Sequence, residues 1–332
     1  MQKITREQLI AKASELLDNG TVSCVLGWGK GEFGYDVTPT LFKTKEDLEA
    51  GFVFNDFAGA NFSKYLVKKT EKLEGKLLVF LKPCDTYSFN QLLTEHRFDR
   101  EKVYAVGIPC EGMADIAKVK AISGEGISKI EFNGDKIAVT TIYEDAPVEI
   151  CASDVLLERC ENCKSKKHVA YDELLGDEGE VVDSARFDEV SRIEAMTPDE
   201  RFAFWQGELS KCIRCNACRD ACPACTCEKC VFDNPNSGVE NKSPTTSFEE
   251  QMFHIIRAFH VAGRCTDCGE CSRVCPQNIP LHLLNRKFIK DINEFYGEYQ
   301  AGQEVGARAP LVNYTTEDIE PGEVFDRRDE NA

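Results

Sequence analysis

The order of apolar and polar positions predicts an α/β arrangement in the first half of the chain. Leu77–Leu81 is a continuous apolar run that ends shortly before Cys84, and Val103–Ile108 repeats this pattern before Cys110. The segment between them, Tyr87–His96, has helical spacing. Strand, helix and strand in this order predict a βαβ unit with parallel strands. Both cysteines then follow the carboxyl ends of strands, where α/β sheets usually bind ligands.

Further elements are predicted on either side of this unit. Thr5 and Gln8 have the spacing of a capping box and predict an N-terminal helix. Ile130–Phe132 and Lys136–Tyr143 flank an Asn-Gly pair and predict a β-hairpin. A helix near Asp154–Arg159 is expected to lead into a pair of cysteines.

The second half of the chain is predicted to be helical. Thr197 begins a capping box with proline at the first helical position, so a helix should follow to about Ser210. Ser247 repeats the capping signal before an apolar helix over residues 248–262, and a third helix is predicted over Leu281–Tyr296.

Composition and charge narrow the class of protein. The 332 residues carry a formal net charge of -17, from 40 Lys and Arg against 57 Asp and Glu. Phosphate binding needs a cationic surface, so nucleic acid is not expected as a partner. The opening MQKITREQ lacks a secretory signal, and no run of about 18 apolar residues predicts a transmembrane segment. We therefore expect a cytoplasmic protein.

The chain has 17 cysteines, which at this density in the cytoplasm favour metal binding over disulfides. Cys212-x2-Cys215-x2-Cys218-x3-Cys222-Pro and Cys265-x2-Cys268-x2-Cys271-x3-Cys275-Pro both match the run of bacterial ferredoxins with two 4Fe–4S clusters. In that pattern the fourth cysteine of each run binds the other cluster. The first cluster is therefore assigned Cys212, Cys215, Cys218 and Cys275. The second is assigned Cys265, Cys268, Cys271 and Cys222. Because oxygen attacks such clusters, we expect an anaerobic host.

The alternative is two structural zinc sites. Such sites usually have paired CxxC or Cys/His ligands, a pattern that these two runs do not follow. Cys225, Cys227 and Cys230 lie between the runs and leave two interpretations open, a further metal site or packed thiols beside the first cluster. Cys24 and Cys151 match no motif and are expected to be packed thiols.

The remaining cysteines are Cys84, Cys110, Cys160 and Cys163. Four thiolates are the number that a 4Fe–4S cluster needs, so the residues favour a third cluster by a small margin over structural thiols.

The segments that carry these cysteines resemble a known family. In chain order they are FNDFAGANFSKYL, LLVFLKPCDTYSFNQLL, VYAVGIPCEGM, ERCENC and an acidic DELLGD. Over roughly residues 20–180 the sequence resembles the beta-subunit family of coenzyme F420 hydrogenases and dehydrogenases, including those of formate dehydrogenases. The next segment, CIRCNACRDACPACTCEKC, resembles the variant fused to a dicluster ferredoxin.

The resemblance implies an N-terminal 4Fe–4S cluster held by Cys84, Cys110, Cys160 and Cys163. It also implies partners in a redox complex: a flavoprotein, a hydrogenase, a formate dehydrogenase or a heterodisulfide-reductase-like subunit.

Some members of this family also bind FAD and reduce a deazaflavin. Gly27, Gly29, Gly31 and Gly34 could bring backbone N–H groups close to a phosphate. Their spacing is not the dinucleotide fingerprint and no clear helix follows Tyr35, so a flexible loop is predicted instead. The chain is also short for a flavin-and-deazaflavin site beside a dicluster domain. FAD is therefore an alternative that we do not favour.

The expected fold has two domains and a tail. Residues 1–185 form an α/β domain with a partly parallel sheet and a 4Fe–4S site, and residues 176–184 read as a linker. Residues 186–308 form an elaborated α-helical two-cluster ferredoxin domain, and residues 309–332 an extended acidic tail.

The sequence predicts an iron–sulfur electron-transfer subunit of a soluble anaerobic oxidoreductase complex. It would relay single electrons between a flavin, hydrogenase or formate dehydrogenase partner and a heterodisulfide-reductase-like or ferredoxin partner. No acid–base pair or nucleophile motif indicates catalytic residues. Two alternatives stay open: a flavin-containing subunit that itself converts hydride to single electrons, and a zinc-stabilised scaffold protein.

Overall fold

The computed structural model describes residues 3–181, 185–234, 236 and 247–312. Strands in these residues are β1 (Cys24–Lys30), β2 (Val37–Phe42), β3 (Leu77–Leu81), β4 (Val103–Gly107), β5 (Ile127–Asn133), β6 (Lys136–Thr141), β7 (Val148–Cys151) and β8 (Glu173–Leu174). Helices are α1 (Arg6–Asp18), α2 (Lys45–Gly51), α3 (Ser63–Glu71), α4 (Pro83–Thr94), α5 (Ile116–Ser123), α6 (Glu158–Glu161), α7 (Asp188–Glu194), α8 (Pro198–Leu209), α9 (Ala217–Asp220), α10 (Ser247–Val261), α11 (Glu270–Arg273) and α12 (Leu281–Tyr296).

The main sheet has the order β2-β1-β3-β4-β8. β3 and β4 are parallel and in register from Leu77 opposite Val103 to Leu81 opposite Gly107, with α4 as the connecting helix. β1 and β8 are also parallel to their neighbours, whereas β2 pairs antiparallel at the edge. Every residue of β3 is buried, as its continuous apolar run requires. The expected α/β fold with a partly parallel sheet is confirmed.

The loop predicted for the glycine-rich segment is wrong for Gly27 and Gly29, whereas Gly31 and Gly34 do lie outside the strands. Gly27 and Gly29 lie inside β1, a strand buried along six of its seven residues. A Cβ atom on Gly27 would lie 2.4 Å from the Phe52 ring, and one on Gly29 would lie 2.1 Å from Thr40 Oγ1. These glycines make room for neighbouring side chains rather than for a phosphate. The turn after β1 contains Gly31 and Gly34.

The hairpin predicted around Asn133-Gly134 is confirmed as β5 and β6, with β7 as a third antiparallel strand. The single helix predicted near Asp154–Arg159 is wrong. A short 3-10 helix (Ala152–Val155) and α6 are separated by extended residues, because Leu157 N donates to Met113 O and Leu156 pairs with Ala114.

Helices dominate the second half, as predicted. Thr197 and Glu200 form the capping box of α8, and α12 has the predicted bounds. α10 includes Ser247 as its first residue, where the sequence predicts a cap. The sequence did not predict α7. No helix in the described residues is long and apolar enough to cross a membrane.

Two predicted irregular segments are partly packed. In the linker, Glu178 accepts a hydrogen bond from His168 N (2.8 Å) and Val181 pairs with Ser165, while residues 182–184 lie outside the described residues. At the predicted start of the tail, Ala309 is buried and Pro310–Val312 form a short 3-10 helix. Residues 313–332 lie outside the described residues.

Replacing Gly27 by alanine tests the packing of β1. Gly27→Ala should lower the free energy of unfolding by about 1–3 kcal/mol, because the added methyl group overpacks the Phe52 contact. Gly207→Ala is the control, since a Cβ atom there meets open space on α8. This control should be neutral or stabilising by up to about 1 kcal/mol. Thermal unfolding followed by circular dichroism compares the two, and equal stability of Gly27→Ala and wild type would contradict the described packing.

Candidate metal centres

The two cysteine runs fold into matching loops. Each has two residues with left-handed backbone, Arg214 (φ 54°) and Asn216 (φ 63°) in the first run and Asp267 (φ 56°) and Gly269 (φ 65°) in the second. A four-residue helix follows each loop, α9 and α11. The left-handed turns direct backbone N–H groups at sulfur: Arg214 N donates to Cys212 Sγ over 3.4 Å, and Asp267 N donates to the Cys265 thiol. Such N–H groups stabilise thiolate ligands.

The first dicluster set, defined as Cys212, Cys215, Cys218 and Cys275, lines one cavity. Three of its members come from the first run, and Cys275 comes from the end of the second. Phe253 and His254 of α10 complete the wall. Cys218 is buried, whereas Cys215 is exposed, so this set lies close to the surface. The four cysteines that the sequence assigns to one cluster therefore line the same cavity.

The second dicluster set is defined as Cys222, Cys265, Cys268 and Cys271. The Cys222 sulfur contributes to the raised pKa of each of the other three thiols, so the four are neighbours. Burial is the main cause and raises the pKa of Cys268 to about 12. Buried thiols of this kind ionise only when a positive charge or a metal compensates them.

The N-terminal set, defined as Cys84, Cys110, Cys160 and Cys163, lines a third cavity. Cys84 lies in the first turn of α4 after β3, and Cys110 follows β4. Because these strands are parallel, both cysteines lie at the carboxyl end of the strand pair. α6 brings Cys160 to the same place. Burial raises the pKa of Cys110 to about 12. The backbone N–H of Gly112 donates to its sulfur and opposes this rise.

Cations surround the N-terminal set although the chain is strongly acidic. Lys82, Arg159, Lys164 and Lys166 line its cavity. The Lys82 ammonium is fully buried, pairs with Asp85 over 2.8 Å and donates to the carbonyl oxygen of Ala60. Nearby positive charge favours the ionised form of a thiol, so this lining fits a group of thiolate ligands.

The N-terminal cavity shares a wall with the second dicluster set, since Asp267 and Cys268 line it too. Arg159 makes the connection. Its guanidinium donates to Gly59 O (2.7 Å), to Glu270 Oε1 (2.7 Å) and to the carbonyl oxygen of Cys268. Cys218 of the first dicluster set and Cys271 of the second pack in one core. The sets therefore adjoin in the order N-terminal, second dicluster, first dicluster.

Further polar contacts join the two halves along α4. Ser88 Oγ lies 2.8 Å from Thr266 Oγ1, and Arg264 makes two hydrogen bonds to the Glu95 carboxylate (2.8 and 2.5 Å). Lys164 Nζ donates to the carbonyl oxygen of Thr266. These contacts hold the cysteine loop Cys265–Cys268 against the N-terminal cavity.

The structure does not bring Cys225, Cys227 and Cys230 together. Cys225 packs beside Cys222, Cys230 packs near Phe232, and Cys227 is exposed. Among the residues the structure describes, no three Cys, His, Asp or Glu side chains group closely enough to hold a single metal ion.

Cys24 is buried in β1, in agreement with a packed thiol. Cys151, expected to be packed as well, is exposed at the end of β7. Each of the three four-cysteine sets has the donor number and soft sulfur chemistry that a 4Fe–4S cluster takes, so the residues present fit such clusters.

Sequence reasoning missed the cations of these sites. The one sequence feature that could have indicated Arg159 is its position directly before Cys160. Lys164 follows Cys163 in the same way. Arg257 on α10 carries no signal in the sequence, because its nearest cysteine in the chain is Cys265.

Comparisons with known proteins agree with this geometry. The family described as 4Fe-4S dicluster domain matches residues 208–279. The chain is 24% identical over 337 residues to the F420-dependent formate dehydrogenase subunit beta of Methanocaldococcus jannaschii, covering 83% of this chain and 86% of that relative. It is also 24% identical to the F420-dependent formate dehydrogenase 1 subunit beta of Methanococcus maripaludis, covering 83% and 87%.

A third similarity is partial. The succinate dehydrogenase iron-sulfur subunit of Bacillus subtilis is 31% identical over 132 residues, which cover 34% of this chain and 51% of that relative. The expected resemblance to formate dehydrogenase beta subunits with a 4Fe–4S dicluster domain is confirmed, as is an iron–sulfur, electron-transfer character.

Removing the Arg159 guanidinium tests whether this side chain joins the N-terminal half to the dicluster loop. Arg159→Met should destabilise the protein by about 3 kcal/mol, because it leaves Glu270 buried with fewer partners and two carbonyl oxygens unpaired. Arg192→Met is the control, since Arg192 forms an exposed ion pair with Glu189 whose loss should cost less than about 1 kcal/mol. Denaturant unfolding measures both. Equal effects of the two changes would show that Arg159 does not join the halves.

Proposed function

We propose that this chain, a relative of the beta subunits of F420-dependent formate dehydrogenases, is an electron-relay subunit of an anaerobic oxidoreductase complex. The N-terminal, second dicluster and first dicluster sets would each hold one 4Fe–4S cluster. Clusters of this kind supply one-electron storage when bound. The proposal is supported by the adjacency of the sets. The N-terminal cavity shares a wall with the second dicluster set, and Cys218 and Cys271 of the two dicluster sets pack in one core.

The residues of this chain have separable roles in the proposed relay. The twelve cysteines hold the iron, and the N–H groups of the two dicluster loops donate to the sulfurs. Lys82 and Arg159 supply buried positive charge beside the N-terminal set. These groups tune how readily a site accepts an electron, since reduction potential depends on charge and hydrogen bonding around the sulfurs.

The two ends of the row differ in exposure. Cys215 is exposed and its neighbour Ile213 is 62% exposed, whereas the four cysteines of the N-terminal set are half-buried. The first dicluster set is therefore the more accessible end for a docking partner. An acidic chain is suited to a basic patch on that partner. We propose a heterodisulfide-reductase-like or ferredoxin partner for one end, and a flavin, hydrogenase or formate dehydrogenase partner for the other.

We also place the protein in the cytoplasm. All seventeen cysteines are free of disulfides, which is typical of proteins kept in a reducing compartment. Gly27 and Gly29 lie in a buried strand, so they do not support a phosphate-binding loop for a flavin.

Anaerobic assays of iron, acid-labile sulfide and flavin on one sample test the proposed function. We expect about twelve irons and twelve sulfides per chain, as three 4Fe–4S clusters require, and no flavin. About eight irons would limit the relay to the dicluster domain. One flavin per chain would identify an enzyme that converts hydride to single electrons, and zinc without iron would overturn the proposal.

A substitution of Cys84 tests the N-terminal set. Cys84→Ser should remove about four irons per chain and leave about eight, because the dicluster cysteines are untouched. Cys151→Ser is the matched control, since Cys151 is an exposed thiol outside the three sets, and its iron content should equal that of the wild type. If Cys84→Ser kept the full iron content, Cys84 would not be a ligand.

A further inference from the structure

Arg257 is a buried charge that, within the described part of the chain, makes no hydrogen bond to an oxygen atom. It lies on α10, within the insertion between the two cysteine runs, and is 3% exposed. Among the residues the structure describes, no carboxylate or carbonyl group accepts a hydrogen bond from its Nε or from either terminal nitrogen. Burying an arginine in this way is expensive unless something else compensates the charge.

The compensating groups are cysteine sulfurs from both dicluster sets. Burial alone would lower the pKa of Arg257, yet attraction to Cys271, Cys218, Cys222 and Cys225 leaves it above the usual range. Cys218 belongs to the first dicluster set, and Cys271 and Cys222 to the second. The guanidinium therefore acts on both sets at once.

The packing of α10 independently places Arg257 beside both dicluster sets. Phe253, one helical turn before Arg257, packs in a core that contains Cys218 and Cys271. Val261, one turn after Arg257, packs in a core that contains Cys222. Residues four apart share a helix face, so Arg257 lies on the face that covers the junction between the two sets.

We propose that Arg257 sets the reduction potentials of both clusters of the dicluster domain, by holding a fixed positive charge between their cysteine sets. This inference rests on the proposed function, because it presumes that both sets hold clusters. It also assigns a function to α10, which lies in the insertion between the two cysteine runs.

The direction of the effect follows from charge. Reduction adds one electron, and hence one negative charge, to a cluster and its thiolates, and no bond forms or breaks. The positive charge of Arg257 stabilises this reduced form more than the oxidised form. Charge interactions are strong in a buried, low-dielectric environment and are little screened by salt. Arg257 therefore raises both potentials.

The test is a redox titration of the full chain with dithionite, followed by electron paramagnetic resonance. In Arg257→Met, the ratio of reduced to oxidised form at a given solution potential should fall at least about tenfold for both dicluster signals, which is about 59 mV for a one-electron couple. Arg257→Lys keeps the charge and should keep most of the potential. The signal of the N-terminal cluster is an internal control, since the sulfurs that act most strongly on Arg257 lie outside the N-terminal set.

Arg192→Met is the control for loss of one surface charge and should shift neither signal. Unchanged dicluster potentials in an Arg257→Met protein with full iron content would overturn the inference. If that variant lost iron, Arg257→Gln would replace it, and loss of iron from both would show a structural role and overturn the inference as well. Absence of two dicluster signals in the wild type would instead reject the proposed function.

Discussion

The buried guanidinium of Arg159 lies at the contact between the two halves and bonds to both of them. It binds the carbonyl oxygen of Gly59 on the N-terminal side, and the carbonyl oxygen of Cys268 and the carboxylate of Glu270 on the other. A buried cation is costly unless charged and polar groups compensate it, which these three partners do for Arg159. These contacts hold a loop of the dicluster domain against the cavity of the N-terminal set.

Positive side chains lie beside buried thiols although the chain as a whole is acidic. The chain as a whole carries -17, yet cations are concentrated where thiols are buried. Burial by itself raises the pKa of thiols such as Cys110 and Cys268, which opposes the thiolate form that a cluster needs. Buried lysines and arginines offset this cost within each site, while the acidic surface remains available for solubility and docking.

Where prediction from sequence failed, contacts between distant residues were the reason. Gly27 and Gly29 have the local signature of a loop, but the Phe52 ring and the Thr40 side chain need the space above them within a buried strand. The helix expected near Asp154–Arg159 is interrupted because Leu157 bonds to Met113, a residue on another segment. Local patterns cannot report such partners.

The sequence by itself determined the local elements and the membership of the cysteine sets proposed as cluster ligands. A continuous apolar run predicts β3, capping residues predict α8, and ferredoxin spacing identifies the eight dicluster cysteines, because each is encoded within a few neighbouring residues. Only the tertiary structure decided how the sites meet. Arg159 and Cys268 are separated by 109 residues, and Arg257 lies between two cysteine sets with no motif to mark it. Such placements arise from packing of whole elements, which no local spacing records.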